Sequence, residues 1–351
     1  MNTRQTSFVA APAFLVGGCL VALAFEAGLA APSSGSALAQ IDSATHWINT
    51  EPLTTAALEG RVVLVSFWTY SCINWIRVQP YLREWAEKYG DDGLVVIGVH
   101  TPEFSFEHNH DNVRWATREL RVDYPVVIDN DYAIWNSFGN QYWPAIYVID
   151  ASGRVRHEKF GEGDYEVSER VIQQLLEETG AAGHPDLVGD TGEGIELAAD
   201  WDNLRTPETY VGANRTSNFA AIERLVVGRP TDYSIPESLR LNHWALGGRW
   251  TMGREAAMAD RGGRIAFRFH ARDVNLVMGP ASVGQQVRFR IRLDGGPPAT
   301  DHGLDVDVEG VGTIKEQRLY QLVRQPGAIG DRTIEIEFLD AGAELFSFTF
   351  G

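Results

Sequence analysis

Phe67-Trp68-Thr69-Tyr70-Ser71-Cys72-Ile73-Asn74-Trp75-Ile76-Arg77-Val78-Gln79-Pro80-Tyr81-Leu82 is the stretch that decides the fold. The residues leading into it, Val62 to Phe67, are apolar and rich in β-branched side chains, which reads as a buried strand. Thr69-Tyr70-Ser71 is a polar turn, and Cys72 then falls in the first turn of an amphipathic helix running to Tyr89. Ile76, Tyr81, Trp85 and Tyr89 give that helix its apolar spacing, and Pro80 inside it predicts a kink or break. A cysteine at a helix start meets free backbone N–H groups and the positive end of the helix dipole. Its thiol pKa is therefore expected to fall from about 8.5 towards neutrality, making the thiolate a nucleophile. Three residues on, where a dithiol site would have its second cysteine, stands Trp75.

Outward from this stretch, strand and helix patterns alternate. Residues 94–99, 124–129 and 143–150 read as strands, with helical spacing over 103–121, a short helix over 132–138 and another over 166–179. Ala151-Ser152-Gly153 is a hairpin turn before a strand over 155–160. Alternation of this kind predicts βαβ units around a central sheet, with an antiparallel strand at one edge. Residues 181–194, with glycines, a proline and acids, read as a linker. Beyond residue 195 helical periodicity fades, and alternating runs such as 265–270, 287–293, 333–339 and 345–350 recur between glycine and proline turns. That texture predicts an antiparallel β-sandwich or jelly roll over residues 195–351.

The chain has 351 residues, 44% of them hydrophobic, enough for two cored domains and an extension. Its formal net charge of −17 excludes nucleic acid, whose phosphates need clustered Lys and Arg, and disfavours electrostatic attachment to anionic lipid. The first 39 residues read as an export segment: Arg4, an apolar run from Phe8 to Phe25, and Ala37-Leu38-Ala39 before Gln40 as a cleavage site. An uncleaved anchor over residues 8–25 is the alternative, and Val16-Gly17-Gly18-Cys19 also invites a lipoprotein reading. All three place the protein outside the cytoplasm, in the periplasm or secreted. Of two cysteines, Cys19 lies in that segment, so cleavage leaves Cys72 alone, with no intramolecular disulfide.

Strand Phe67-Trp68, Cys72 at a helix start, Pro80 within it and Trp143-Pro144 before a later strand together resemble the thioredoxin-like redoxins. The exported TlpA and DipZ-type group is the nearer resemblance. It rests also on residues 100–104, 124–132 and 140–150, on Phe160-Gly161-Glu162-Gly163, and on Thr206-Pro207-Glu208-Thr209-Tyr210. The resemblance implies a thioredoxin-like α/β fold over residues 40–180, followed by an all-β, carbohydrate-binding-module-like domain. It also implies that Cys72 is the nucleophile, that the Trp143–Pro144 bond is cis beside the thiol, and that Trp143 walls the thiol. No cofactor is implied. Trp75 departs from the dithiol pattern and removes the residue that would release a mixed disulfide internally. Cys72 would then serve disulfide exchange or peroxide reduction, with an external thiol or disulfide protein, or peroxide, as its partner. The alternative is a redox-silent thioredoxin-fold protein that holds a protein partner or a glycan.

Other residues carry weaker readings. Thr69 sits where peroxiredoxins place a hydroxyl, but Val65 replaces their proline, so Thr69 reads as a turn residue shaping the site. Ser66 stands where thioredoxins bury a carboxylate. His100 and Glu103 follow the second strand and could border the site, whereas His108 and His110 read as a solvated helix end and no metal site is expected. Trp201, Tyr233, Trp244 and Trp250 are candidate stacking faces for a sugar, although aromatics in a β-sandwich are more often core.

Overall fold

The computed structural model describes residues 38–189 and 192–351, and residues 1–37 of the expected export segment lie outside them. Described residues begin with a 3-10 turn, Leu38–Ser43, whose Leu38 and Ile41 are buried in the first core. Six strands follow: β1 Trp47–Ile48, β2 Val62–Trp68, β3 Leu94–His100, β4 Val126–Ile128, β5 Ala145–Ile149 and β6 Val155–Phe160. They form one sheet in the order β1-β4-β3-β2-β5-β6, with β2, β3 and β4 mutually parallel and β5 antiparallel to β2. Five helices accompany it: α1 Thr55–Leu58, α2 Ile73–Tyr89, α3 His110–Glu119, α4 Ala133–Ser137 and α5 Tyr165–Glu178.

Every residue of β2 is buried because the strand faces two cores. Val63, Val65 and Phe67 pack with Ile134, Trp135 and Phe138 on one side. Val62, Leu64 and Trp68 pack with residues of α2 and α5 on the other. A central strand covered on both faces gives the continuous apolar run seen in the sequence, not an alternating one. Pro80 does not break α2, contrary to expectation; Val78, Leu82 and Trp85, all buried, hold the helix on both sides of the lost hydrogen bond. The helix expected over 103–121 is divided into a 3-10 turn, Ser105–His108, and α3, because the Asn109 side chain accepts from the Asp111 N–H at 2.9 Å and starts a new helix.

The second half contains β7 Thr209–Tyr210, β8 Thr231–Tyr233, β9 Trp244–Met252, β10 Ala257–Ala259, β11 Arg264–His270, β12 Asp273–Pro280, β13 Val287–Leu293, β14 Val311–Ile314, β15 Arg318–Arg324, β16 Asp331–Phe338 and β17 Ala343–Phe350. Their path is β14-β13-β16-β11-β9-β10-β17-β12-β15, with β7 added to β17 and β8 to β9. All these ladders are antiparallel. The expected all-β half is therefore one sheet curled as a half barrel around a single core. Trp244 and Trp250 are fully buried in that core and Tyr233 is 4% exposed, so three of the four proposed sugar-stacking faces are closed to a ligand.

The halves share a core. β12 is buried at all eight positions, since its inward residues Val274, Leu276 and Met278 line the half barrel while Val277 faces the first half. Val277, Leu319 and Phe346 join the cluster built from Trp68, Ile76 and Phe104. Phe346 packs against both Phe104 and Phe106, with ring centroids 5.2 and 4.7 Å away. The expected linker is itself docked, the Val188 N–H donating to Glu169 at 2.9 Å, and just beyond it Glu196 pairs with Arg83 at 3.1 Å.

Candidate functional site

Cys72 is the N-cap of α2, with φ −79° and ψ 111°. Its N–H donates to the Thr69 carbonyl at 3.2 Å and its carbonyl accepts from the Ile76 N–H at 3.0 Å, which fixes the turn between β2 and α2. The thiol opens into a cavity of about 220 Å³ lined from both halves of the chain. Ser71, Ile73, Glu103 and Trp143 supply one side, and Glu208, Tyr210, Arg215, Ser347 and Thr349 the other.

The two sides are bonded at the rim. Tyr210 Oη donates to Glu103 Oε1 at 2.7 Å, and Arg215 Nη1 donates to the same oxygen at 2.6 Å. The Arg215 guanidinium lies 3.4 Å above the centre of the Tyr210 ring, a cation–π contact. Next to it, Ser105 donates from its N–H and its hydroxyl to Glu255 at 2.8 and 2.5 Å.

This enclosure reverses the expected electrostatics of the thiol. Removal from water pushes the Cys72 pKa well up, and Glu103 and Glu208 add to the shift. The N–H groups of Trp75 and Asn74 act in the anticipated direction, downward, and are outweighed. A helix start counts only the local donors, whereas the acids and the cover come from distant segments.

The remaining predicted residues divide between cavity and core. Trp143 lines the cavity, donates from Nε1 to the Thr101 carbonyl at 3.0 Å, and leans on Trp135 at 4.3 Å; the Trp143–Pro144 peptide is cis. The Trp75 ring is fully buried and stacks on Trp68 at 4.2 Å, so this residue offers the thiol its backbone and gives its side chain to the core. Thr69 is buried, and its hydroxyl acts to hold the Glu107 pKa down against burial. Of the two residues that could border the site, Glu103 lines the cavity, whereas His100 lies under Trp68 and Tyr70, where burial drives its pKa down to about 3 and keeps it neutral. Among the described residues no group of three or more His, Cys, Asp or Glu could hold a metal ion.

Glu107 was not anticipated. It is fully buried, accepts from Ser71 Oγ at 2.6 Å, and accepts the N–H groups of Glu103 and Phe104 at 2.7 and 2.8 Å. It thus ties the residue preceding Cys72 to the loop that carries Glu103. Burial raises its pKa to about 7 from an ordinary 4.5. Because the folded-state pKa lies above the unfolded one, the folded protein binds the extra proton. The stability linked to it is full below about pH 4.5 and lost as the pH rises through about 7. Glu107→Gln keeps one acceptor for the backbone and one donor for Ser71. It is expected to be near neutral at pH 5 and stabilising by up to about 3 kcal/mol at pH 8, measured by urea unfolding at both pH values. His100 pulls the other way, losing stability as pH falls below 6.5, and is common to both proteins. A parallel pH dependence in the two proteins would refute the assignment.

Residues 38–176 match the Redoxin family model, and residues 206–351 match the family model described as thioredoxin like C-terminal domain. Protein DipZ of Mycobacterium tuberculosis is 36% identical over 320 residues, which cover 88% of this chain and 42% of that protein. The chain is a DipZ/TlpA-type redoxin. It spans less than half the length of its DipZ relatives. The redoxin is also 29% identical to thiol-disulfide oxidoreductase YkuV of Bacillus subtilis, over 38% of this chain and 89% of that one. A thioredoxin-like protein solved in its oxidised form is 31% identical, covering 38% of this chain and 88% of its own, with a TM-score of 0.35. The segment Thr206 to Tyr210, which the sequence already set apart, is where this redoxin's second half reaches the thiol through Glu208 and Tyr210.

Proposed function

We propose that the chain is a thiol-disulfide oxidoreductase in which Cys72 is the sole nucleophile and an external thiol completes each turnover. The observation that carries this reading is the placement of Cys72, the one cysteine among the described residues, at the helix start beneath a cavity lined by both halves. Relatives named as thiol-disulfide oxidoreductases support it. The cycle balances without a second cysteine. The Cys72 thiolate attacks a disulfide R–S–S–R′, forming Cys72–S–S–R and releasing R′S⁻, which takes up a proton. An external thiol R″SH then attacks sulfur R, giving R–S–S–R″ and returning the Cys72 thiolate.

The cover over the thiol biases the first step of that cycle, in which the Cys72 thiol becomes a mixed disulfide. A redoxin whose thiolate is stabilised is an oxidant, because its reduced form is favoured. Here the thiolate is disfavoured by burial and by Glu103 and Glu208, which favours the disulfide-bonded form of Cys72 and makes the thiol a reductant. The same shift makes Cys72 the poorer leaving group, so attack on the mixed disulfide expels it reluctantly. We assign export to the same reading, on the apolar run from Phe8 to Phe25 and the Ala37-Leu38-Ala39 site. No helix among the described residues is long and apolar enough to cross a membrane.

The test is alkylation of Cys72 against pH, followed by mass spectrometry of the labelled peptide. The rate is expected to be slower than for a free cysteine at pH 7 and to rise about tenfold per pH unit up to its midpoint. Glu208→Gln removes one carboxylate facing the sulfur and is expected to move the midpoint down. No mixed disulfide with any disulfide reagent at pH 9 would overturn the oxidoreductase reading.

A further inference from the structure

Two carboxylates and one guanidinium line the cavity onto which the Cys72 thiol opens, and the pairing among them is uneven. Arg215 is engaged by Glu103, to which it donates from Nη1 at 2.6 Å, and the Tyr210 hydroxyl donates to the same oxygen at 2.7 Å. Beneath these partners the Glu103 side chain is only 9% exposed. Glu208, the second carboxylate, is exposed to solvent and, among the described residues, forms no ion pair.

A second observation at the same cavity concerns hydroxyls. Ser347 and Thr349 of β17 line it and are 1% and 6% exposed. Among the described residues neither hydroxyl has a hydrogen-bond partner. More than nine in ten buried polar groups in folded proteins are paired, so two unpaired oxygens on one cavity wall are unusual. A carboxylate offers only acceptors, and each hydroxyl can accept as well. The set is complementary to a group that only donates, an ammonium or a guanidinium.

We propose that Glu208, with Ser347 and Thr349, forms a subsite for a positively charged group beside the attacked sulfur, so that Cys72 prefers protein disulfides flanked by lysine or arginine. The inference rests on the oxidoreductase reading of Cys72 and deepens it. The cavity of about 220 Å³ has to admit only the sulfur and the tip of the basic side chain. The cation acts twice. It pairs with Glu208 on binding, and it offsets the carboxylate charge that disfavours the Cys72 thiolate, so the nucleophile is favoured once the substrate is in place. In the step itself the thiolate attacks the nearer substrate sulfur and the mixed disulfide forms. The other sulfur leaves with the electron pair of the broken S–S bond and takes up a proton.

The test measures Cys72 mixed-disulfide formation on the full chain by mass spectrometry, using cationic cystamine, neutral bis(2-hydroxyethyl) disulfide and anionic dithiodipropionate. Partial removal from water, and then the charge of Glu103, raise the Glu208 pKa to about 7, so the comparison is made at pH 8, where the carboxylate is ionised. Each rate is divided by that of N-acetylcysteinamide, a neutral free thiol, which removes differences between leaving groups. Cystamine is expected to react about fivefold faster than the neutral probe and dithiodipropionate about fivefold slower, the size of an exposed ion pair. Both differences should shrink in about 1 M salt, where screening acts over about 3 Å. Glu208→Gln is expected to bring the cationic-to-neutral ratio close to one. Thr349→Val keeps the shape, removes one acceptor, and is expected to cut that ratio about twofold. Glu166→Gln removes the same charge from the exposed surface of α5, outside the cavity, and is expected to leave the ratio unchanged. Equal normalised rates for the three probes, a ratio that survives Glu208→Gln, or an equal loss in Glu166→Gln would each overturn the subsite. If the unaltered chain forms no mixed disulfide with any probe, the oxidoreductase reading fails instead.

Discussion

Cys72→Ser is expected to abolish disulfide exchange, with a loss of at least roughly a thousandfold in the reduction of a disulfide substrate. The serine hydroxyl is isosteric but remains protonated at any accessible pH and cannot form the mixed disulfide on which the cycle depends. No other cysteine among the described residues can replace it, and Trp75 occupies the position from which a second thiol would act. The substitution should leave the fold intact, since the Cys72 contacts with Thr69 and Ile76 are made by its backbone. The measurement is a single-turnover assay with a disulfide reagent, accompanied by a melting curve. Residual exchange within tenfold of the unaltered protein, with the melting temperature unchanged, would mean that Cys72 is not the nucleophile.

The first half of the fold was legible because its signals are local. Val62 to Phe67 reads as a strand because a central strand buried on both faces must be apolar throughout, and β2 is such a strand. Val287 to Leu293 alternates and is β13 at the same bounds, since one face lines the half barrel while its arginines face outward. β12 gave no such alternation, because the redoxin half covers its outer face and both faces read as buried.

The site was legible only in its centre. Cys72 and Trp143 line one cavity through β2, α2 and the approach to β5, elements whose order the sequence announces. The rest of the cleft depends on pairs far apart in the chain: Glu103 and Tyr210 are separated by 107 residues, Ser105 and Glu255 by 150. Nothing in the spacing of either segment foretells that contact. The sign of the thiol's pKa shift was misread for the same reason. Donors at a helix start are written in the neighbouring residues, while desolvation by another part of the chain is not. Glu107 escaped notice because Ser66 occupies the usual place of a buried acid, and the acid comes instead from the loop after β3.

Phe346→Ala is expected to destabilise the protein by about 3–5 kcal/mol, the range for removing a buried aromatic ring. The ring is 2% exposed and packs on both Phe104 and Phe106, so its loss leaves a cavity between β17 and the loop after β3. The consequence extends to Cys72, because Phe104, the residue after Glu103, lines the thiol's cavity and would lose its support. Water entering there would relieve the desolvation that raises the thiol pKa most. Alkylation of Cys72 at pH 7 should therefore quicken under native conditions, well below the unfolding transition. Phe346→Leu keeps most of the volume and is expected to cost under about 1.5 kcal/mol with little change in labelling. Urea unfolding gives the stability change, and labelling in the absence of urea gives the exposure. A destabilised Phe346→Ala protein whose native-state labelling rate is unchanged would separate the two effects. In that outcome the second half would hold the fold together without governing the thiol, and the reductive bias assigned to Cys72 would lose its physical basis.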